Sequence, residues 1–205
     1  MSRVAVVTGG TRGIGAAISK ALKAEGYKVA ANFAGNEEAA AQFQKDTGIP
    51  VYKWDVSSYD ACAAGLAQIE TDLGPVDIVV NNAGMTSVSE PMETTGETGS
   101  VTDLSRAQWD ASLARNLTTS FLVTKAALPA LRASGSGRII SVASVTGPAM
   151  AMVNDAAYAA SKAGMVGLIR ALAVDEAGAG ITANAVAPGW IATGSQTEHE
   201  ERQGH

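Results

Sequence analysis

Cysteine and histidine are nearly absent from this 205-residue chain, and both shortages exclude chemistry. Cys62 is the one cysteine, so no disulfide can form within the chain, and a reducing cytoplasm is the expected setting. The two histidines, His199 and His205, both fall in the polar tail "TEHEERQGH". A His-bearing metal site or a Ser-His-Asp hydrolase triad would have to be built from that tail, and neither is expected. Clustered basic charge is missing too: Lys and Arg are scattered and the net charge is −5, which leaves no track for a nucleic-acid backbone. The chain opens directly into "RVAVVTGG", with no charged leader and no apolar export segment. Its longest apolar run, Gly164 to Val174, falls short of the roughly 18 residues that cross a bilayer and is broken by Arg170. No membrane span is expected, and the expected partners are small molecules or other proteins.

What is present suits a single domain over residues 1–205, with 46% hydrophobic and 17% charged residues around one core. "VAVVT", "KVAANF", "PVYKW", "VDIVV", "RIISV" and "ITANAV" read as six strands, apolar enough to be buried on both faces. Between them, "IGAAISKALKAEG", "NEEAAAQFQKDTG" and "DACAAGLAQIETDLG" have helical spacing and stop at glycine. Two longer helical segments follow, Ser105–Gly135 and Asp155–Gly180, the first with Pro129 near its end. Alternation of this kind predicts an α/β fold, a parallel sheet wrapped by crossover helices. There is no internal repeat and no heptad pattern. Residues 85–104, with four acids and no bases, read as a solvated insertion or a lid, and residues 194–205 as a polar tail.

"TGGTRGIG", Thr8 to Gly15, lies between the first strand and the first helix. Gly9, Gly13 and Gly15 permit a tight turn and let backbone amides approach a pyrophosphate at the positive end of that helix. An acid near the end of the second strand would bind the ribose 2′-hydroxyl of NAD, but Asn32 stands there and the first acid is Glu37. Arg12 has the geometry to pair with a 2′-phosphate, which favours NADP; its plainer reading is a solvated loop charge. Asp55 follows the third strand, placed to accept from an adenine amino group, and "NNAG", Asn81 to Gly84, follows the fourth. Each is a turn residue when taken singly.

Together with Asn116, Ser144, "YAASK" (Tyr158 to Lys162) and "PGWIAT" (Pro188 to Thr193), these motifs resemble the short-chain dehydrogenase/reductases in order and spacing over nearly the whole chain. The first third is similar to NADPH-dependent acetoacetyl-CoA reductases, the later part to 3-oxoacyl-thioester reductases more generally. The resemblance implies a Rossmann-like sheet of strand order 3-2-1-4-5-6, with the family's seventh strand missing from this chain and the sixth left as an open edge. It implies cofactor contacts from Gly9, Thr11, Arg12, Gly13, Ile14 and Gly15 in the glycine loop. It implies further contacts from Asn32, Asp55, Val56, Asn82, Ala83 and Gly84 at the strand ends, and from Tyr158, Lys162, Pro188, Gly189, Ile191 and Thr193. Asn116, Ser144, Tyr158 and Lys162 are the implied catalytic set, and a homo-oligomer, dimer or tetramer, is the implied assembly.

A ketone that accepts hydride gains negative charge on oxygen and needs a proton donor and a fixed hydrogen bond. Tyr158 is the expected donor. Lys162, one helical turn on, shares its face, and an ammonium there favours the phenolate. The resemblance also implies that Lys162 holds the nicotinamide ribose, that Ser144 bonds the carbonyl oxygen, that Asn116, inside a helix interrupted at "RNLTT", holds a water leading to Lys162, and that Thr193 bonds the carboxamide. The expected activity is reduction of a 3-oxo group, on an acyl thioester such as acetoacetyl-CoA, by NADPH. Reduction of another small ketone, or cofactor binding without turnover, are the alternatives. The segment "GPAMAMVNDAA" has no glutamine at the expected substrate edge.

Overall fold

The computed structural model describes residues 2–84 and 99–192. Most of the acidic 85–104 stretch, Thr193, both histidines and the polar tail lie outside the described residues.

Six parallel strands form one sheet in the order β3-β2-β1-β4-β5-β6, as expected: β1 Val4–Val7, β2 Lys28–Phe33, β3 Val51–Lys53, β4 Val76–Asn81, β5 Arg138–Val142 and β6 Thr182–Val186. Successive side chains of a strand point to opposite faces, and β1 shows the result. Val4 and Val6 enter one core with Leu66, Ile69, Val123, Leu131 and Ile139, while Ala5 and Val7 enter the other with Phe43, Ile49 and Val80. Both faces are covered, which is why β1 contains no polar residue.

The helices start and stop at chemically identifiable residues. α2 (Glu37–Thr47) is capped by the Asn36 side chain, α3 (Tyr59–Leu73) by Ser58, and α4 (Arg106–Leu113) by a reciprocal Ser105–Gln108 box. Gly48 ends α2 and Gly135 ends α5 (Thr119–Ser134), both in the left-handed conformation that glycine adopts without steric cost. The long helical segment from Ser105 is interrupted at the expected "RNLTT": between α4 and α5 the five residues Ala114–Thr118 form a π-turn containing Asn116. Pro129 is absorbed inside α5.

α6 (Ala156–Asp175) extends well beyond the apolar run visible in the sequence. Among the described residues it is the one helix long and apolar enough to cross a membrane by length and composition, with mean hydropathy 1.2. Its place in the fold is that of a core helix, with Ala157, Tyr158, Ser161, Lys162, Met165 and Ile169 buried. Arg132, in the last turn of α5, holds Glu176 at the end of α6 through two bonds of 2.7 and 2.6 Å. That guanidinium keeps the Glu176 carboxyl below the usual carboxylate range.

Cys62 on α3 is fully buried, with its sulfur 3.6 Å from the Val56 carbonyl oxygen. Burial, with Asp55 nearby, pushes its thiol up to about 11. At pH 8 the folded protein should therefore resist a disulfide reagent such as Ellman's. One thiol per chain should appear on unfolding in guanidinium, and fast labelling of the native protein would contradict this placement.

Candidate active site

Because every strand runs the same way, the loops after β1, β2, β3, β4 and β5 all emerge at one edge of the sheet. The strand order reverses between β1 and β4, and a crevice opens there. Thr8 closes it from below. Its hydroxyl donates to the Val80 carbonyl at 3.2 Å and accepts from the Asn82 and Ala83 amides at 3.0 Å each. The Asn82 side chain reaches back to donate to the carbonyls of Thr8 and Gly9, at 3.0 and 3.2 Å. Asn82 thus ties the glycine loop to the "NNAG" loop. Asn81 lies deeper, donating to Thr124 at 2.9 Å and Ser141 at 3.4 Å.

The glycine loop fits closely against this knot. A Cβ on Gly15 would sit 2.1 Å from the Gly9 carbonyl oxygen and 2.5 Å from the Asn82 amide nitrogen, so only glycine allows the first turn of α1 (Gly13–Ala24) to pack here. Unlike α2, α3 and α4, α1 has no capping side chain, and unlike α2 and α3 it has no acid in its first turn; its N-cap is Arg12. The leading amides of α1, with Ile14 and Gly15 among them, therefore stay available to an anionic group. Arg12 is exposed and Thr11 half-buried beside them.

Asn32 is placed differently from a ribose contact. It is buried, its Oδ1 accepts from the Gly9 amide at 3.3 Å, and its Nδ2 donates to the Trp54 carbonyl at 3.0 Å. It braces the glycine loop from underneath. Glu37, the first acid after β2, is paired with Lys53 at the surface, and that pairing holds its carboxyl below the ordinary value. Asp55 is exposed, with one oxygen accepting from the Ser57 amide at 2.8 Å, and Val56 beside it is half-buried.

The second half of the site is built on β5, the π-turn and α6. Lys162 is 1% exposed, donates to the carbonyl of Val142 at 3.2 Å, and its ammonium lies 5.5 Å from the centre of the Tyr158 ring. The i, i+4 pair seen in the sequence is thus directed inward. Tyr158 is 8% exposed. Ser144, two residues beyond β5, accepts a hydrogen bond from the Thr146 amide at 3.1 Å. With a lone pair so occupied, its hydroxyl hydrogen is directed to donate elsewhere.

Asn116 is fully buried, and its amide nitrogen donates to the Ser112 carbonyl at 3.2 Å. Its Oδ1 is unpartnered and lies 3.5 Å from where a Cβ on Gly84 would be, so the π-turn abuts the "NNAG" loop. Gly164 of α6 meets Leu117 of the same turn. The Pro188 carbonyl accepts from the Val145 amide at 3.0 Å, which brings Pro188 alongside the Ser144 loop, while Gly189 and Ile191 beyond it are exposed. The end of the acidic stretch also docks here, with the Gly99 amide donating to the Asn154 carbonyl at 2.8 Å.

Sequence reading passed over Thr8, whose only signal was a threonine closing an otherwise apolar strand. Thr8→Val removes the oxygen that two loop amides share. A loss of about 2 kcal/mol of stability in urea unfolding is expected, with Thr8→Ser retaining most of it. Equal stability of Thr8→Val and wild type would refute this role.

Comparison with known proteins bears on the same residues. The short chain dehydrogenase family matches residues 3–204. An acetoacetyl-CoA reductase of Rhizobium meliloti (strain 1021) is 52% identical over 195 residues, covering 94% of this chain and 76% of that protein. The 3-oxoacyl-(acyl-carrier-protein) reductase MabA of Mycobacterium bovis is 35% identical over 202 residues, 98% of this chain and 74% of the relative. Among solved structures, a variant of actinorhodin polyketide ketoreductase crystallised with NADPH superposes with a TM-score of 0.83 at 38% identity, covering 94% of this chain and 72% of that one. The matched segment takes in the glycine loop, the "NNAG" turn and the Tyr158–Lys162 helix, and the chain belongs to the short-chain dehydrogenase family.

Proposed function

We propose that this chain uses NADPH to reduce the 3-oxo group of a small acyl thioester, of which acetoacetyl-CoA is the representative. The observation that carries the reading is the inward-facing Tyr158–Lys162 pair beside the Ser144 loop, at the same sheet edge as the glycine crevice. The named relatives support the substrate class: they include acetoacetyl-CoA and 3-oxoacyl reductases.

The glycine loop lies tight against the Thr8–Asn82 knot, and the first turn of α1, capped by no side chain, leaves its amides to meet a pyrophosphate. Gly9, Thr11, Gly13, Ile14 and Gly15 would hold the pyrophosphate, Asp55 and Val56 the adenine, and Lys162 the nicotinamide ribose. Outside the described residues, Thr193 is assigned the carboxamide. Bound there, the reduced nicotinamide supplies a hydride to the carbonyl carbon. Ser144 donates a hydrogen bond to the carbonyl oxygen from an Oγ already fixed by the Thr146 amide. Tyr158 holds a proton at its phenol oxygen and gives it to that same carbonyl oxygen. The Lys162 ammonium stabilises the phenolate left behind. Asn116, with its unpartnered Oδ1, would anchor a water through which the proton is replaced.

Selection of NADPH over NADH rests on two features. Glu37 is engaged by Lys53, and Arg12 stands exposed at the start of α1. An assembly of identical subunits belongs to the same reading, supported by exposed Trp109 and Phe121 on α4 and α5 and by the open edge of β6 in the described sheet. A second reading, reduction of another ketone, is favoured by the rim between Ser144 and Tyr158. There Met150 and Val153 are exposed and offer no hydrogen bond to the amides of a CoA arm.

Loss of NADPH absorbance with acetoacetyl-CoA, set against a simple ketoester, tests the assignment. Tyr158→Phe should lower turnover by about a hundredfold or more while leaving NADPH affinity within about twofold. Turnover near that of wild type would remove the phenol as acid. Arg12→Ala should weaken NADPH about tenfold and NADH hardly at all, and equal losses would show that the guanidinium reads no 2′-phosphate.

A further inference from the structure

Gly147 lies three residues beyond Ser144, with φ of +101°, in the left-handed half of the map where side chains are strained. Conformation is only part of its constraint. A Cβ there would stand 2.3 Å from the carbonyl oxygen of Ala159 and 3.0 Å from the amide nitrogen of Ala163, two atoms on the backbone of α6. Ala159 follows Tyr158 and Ala163 follows Lys162, so the loop rests on the helical turn that joins the proposed acid to its ammonium.

The loop around this contact is stiff. The Gly147 amide donates to the Met150 carbonyl at 2.7 Å, and the Val145 carbonyl accepts from Ala149 and Met150 at 3.0 Å each. Thr146, buried, gives its amide to Ser144 Oγ. The other end of the loop is fixed by Lys162, which holds the carbonyl of Val142. Ser144 is thus carried on a short bridge with both piers on α6: Lys162 at Val142, and the Ala159–Ala163 backbone at Gly147.

We infer that Gly147 is a positioning residue: its bare Cα, seated on the Ala159–Ala163 turn, sets the separation of the Ser144 hydroxyl from the Tyr158 hydroxyl. The inference rests on the proposed reductase reading and adds to it the part that fixes the spacing. A methyl group at 147 must retreat by about 1 Å to reach ordinary contact with the Ala159 oxygen. α6 is a 20-residue helix tied into its own hydrogen-bond ladder, so the loop is the part that yields. A displacement of that size at a proton-transfer site costs up to about a hundredfold in rate.

The test is a kinetic cycle with Gly147→Ala, Ser144→Ala and the double variant, alongside Gly135→Ala as control. Gly135 also has positive φ, of +64°, but a Cβ there meets nothing within 4 Å. Alanine at 135 therefore adds backbone strain without a wedge, and should lower the melting temperature slightly with kcat unchanged. Gly147→Ala should lower kcat by about ten- to a hundredfold with the Kd for NADPH within about twofold. In the Ser144→Ala background the same change should cost less than about threefold, because the group it misplaces is already gone. Multiplying effects in the double variant, or wild-type kcat in Gly147→Ala, overturn the inference. So does a Gly147→Ala chain that fails to fold where Gly135→Ala folds, since the contact would then serve the fold and not the site. A wild-type protein inert toward every 3-oxo thioester offered, yet binding NADPH, would instead remove the reductase reading and this inference with it.

Discussion

A lysine ammonium almost wholly withdrawn from water lies under the site, and much of the surrounding architecture answers to it. Burying a charge costs several kcal/mol unless dipoles are already arranged around it. Lys162 meets that requirement in part through the carbonyl of Val142, at the last residue of β5, and through the face of the Tyr158 ring. The end of β5 and the second turn of α6 must therefore be in register with each other. Once they are, the loop between them has little freedom, and Ser144 is held on a span anchored to α6 at Val142 and Gly147.

The nucleotide half is organised by a neutral knot, not by charge. Thr8, Asn32 and Asn82 use side-chain oxygens and amides to satisfy backbone groups of loops that leave the sheet without partners. Glycines then let those loops lie against one another more closely than any Cβ would permit. The first turn of α1 packs here with no side chain capping its leading amides. α2, α3 and α4 are closed by Asn or Ser side chains, whereas α1, which opens onto the crevice, and α6, which carries Tyr158 and Lys162, are not. A helix end left open costs some stability locally and creates an anion-binding position.

The π-turn at Ala114–Thr118 links the halves. A regular helix would continue the α4 ladder through Asn116. The wider turn carries the buried Asn116 against Gly84, and sets Leu117 against Gly164 of α6. Such turns often occur where a helix is adapted to a site rather than to its own regularity. Here the break brings the Asn116 side chain to the "NNAG" loop on one side and Leu117 to the Lys162-bearing helix on the other.

Much of this was readable in the amino-acid string, and the reason is local periodicity. Six strands, their parallel arrangement and the glycine stops follow from windows of five to fifteen residues, and β2 and β5 appear with the expected bounds. The pairing of Tyr158 with Lys162 is likewise local, since four residues make one helical turn. The string did not show which way that pair would point, that the break at "RNLTT" would be a π-turn, or that Asn32 would turn beneath the glycine loop. Thr8 and Asn82 are 74 residues apart, and Gly147 meets α6 at positions 159 and 163. Close approach between distant segments depends on how the whole sheet stacks its helices, and no short window of sequence contains that information. The chain by itself determined its elements and the pairing of Tyr158 with Lys162; the packing of β5 and the π-turn against α6 decided where that pair lies, because only tertiary contact can bury a cation and a phenol beneath the loop that carries Ser144.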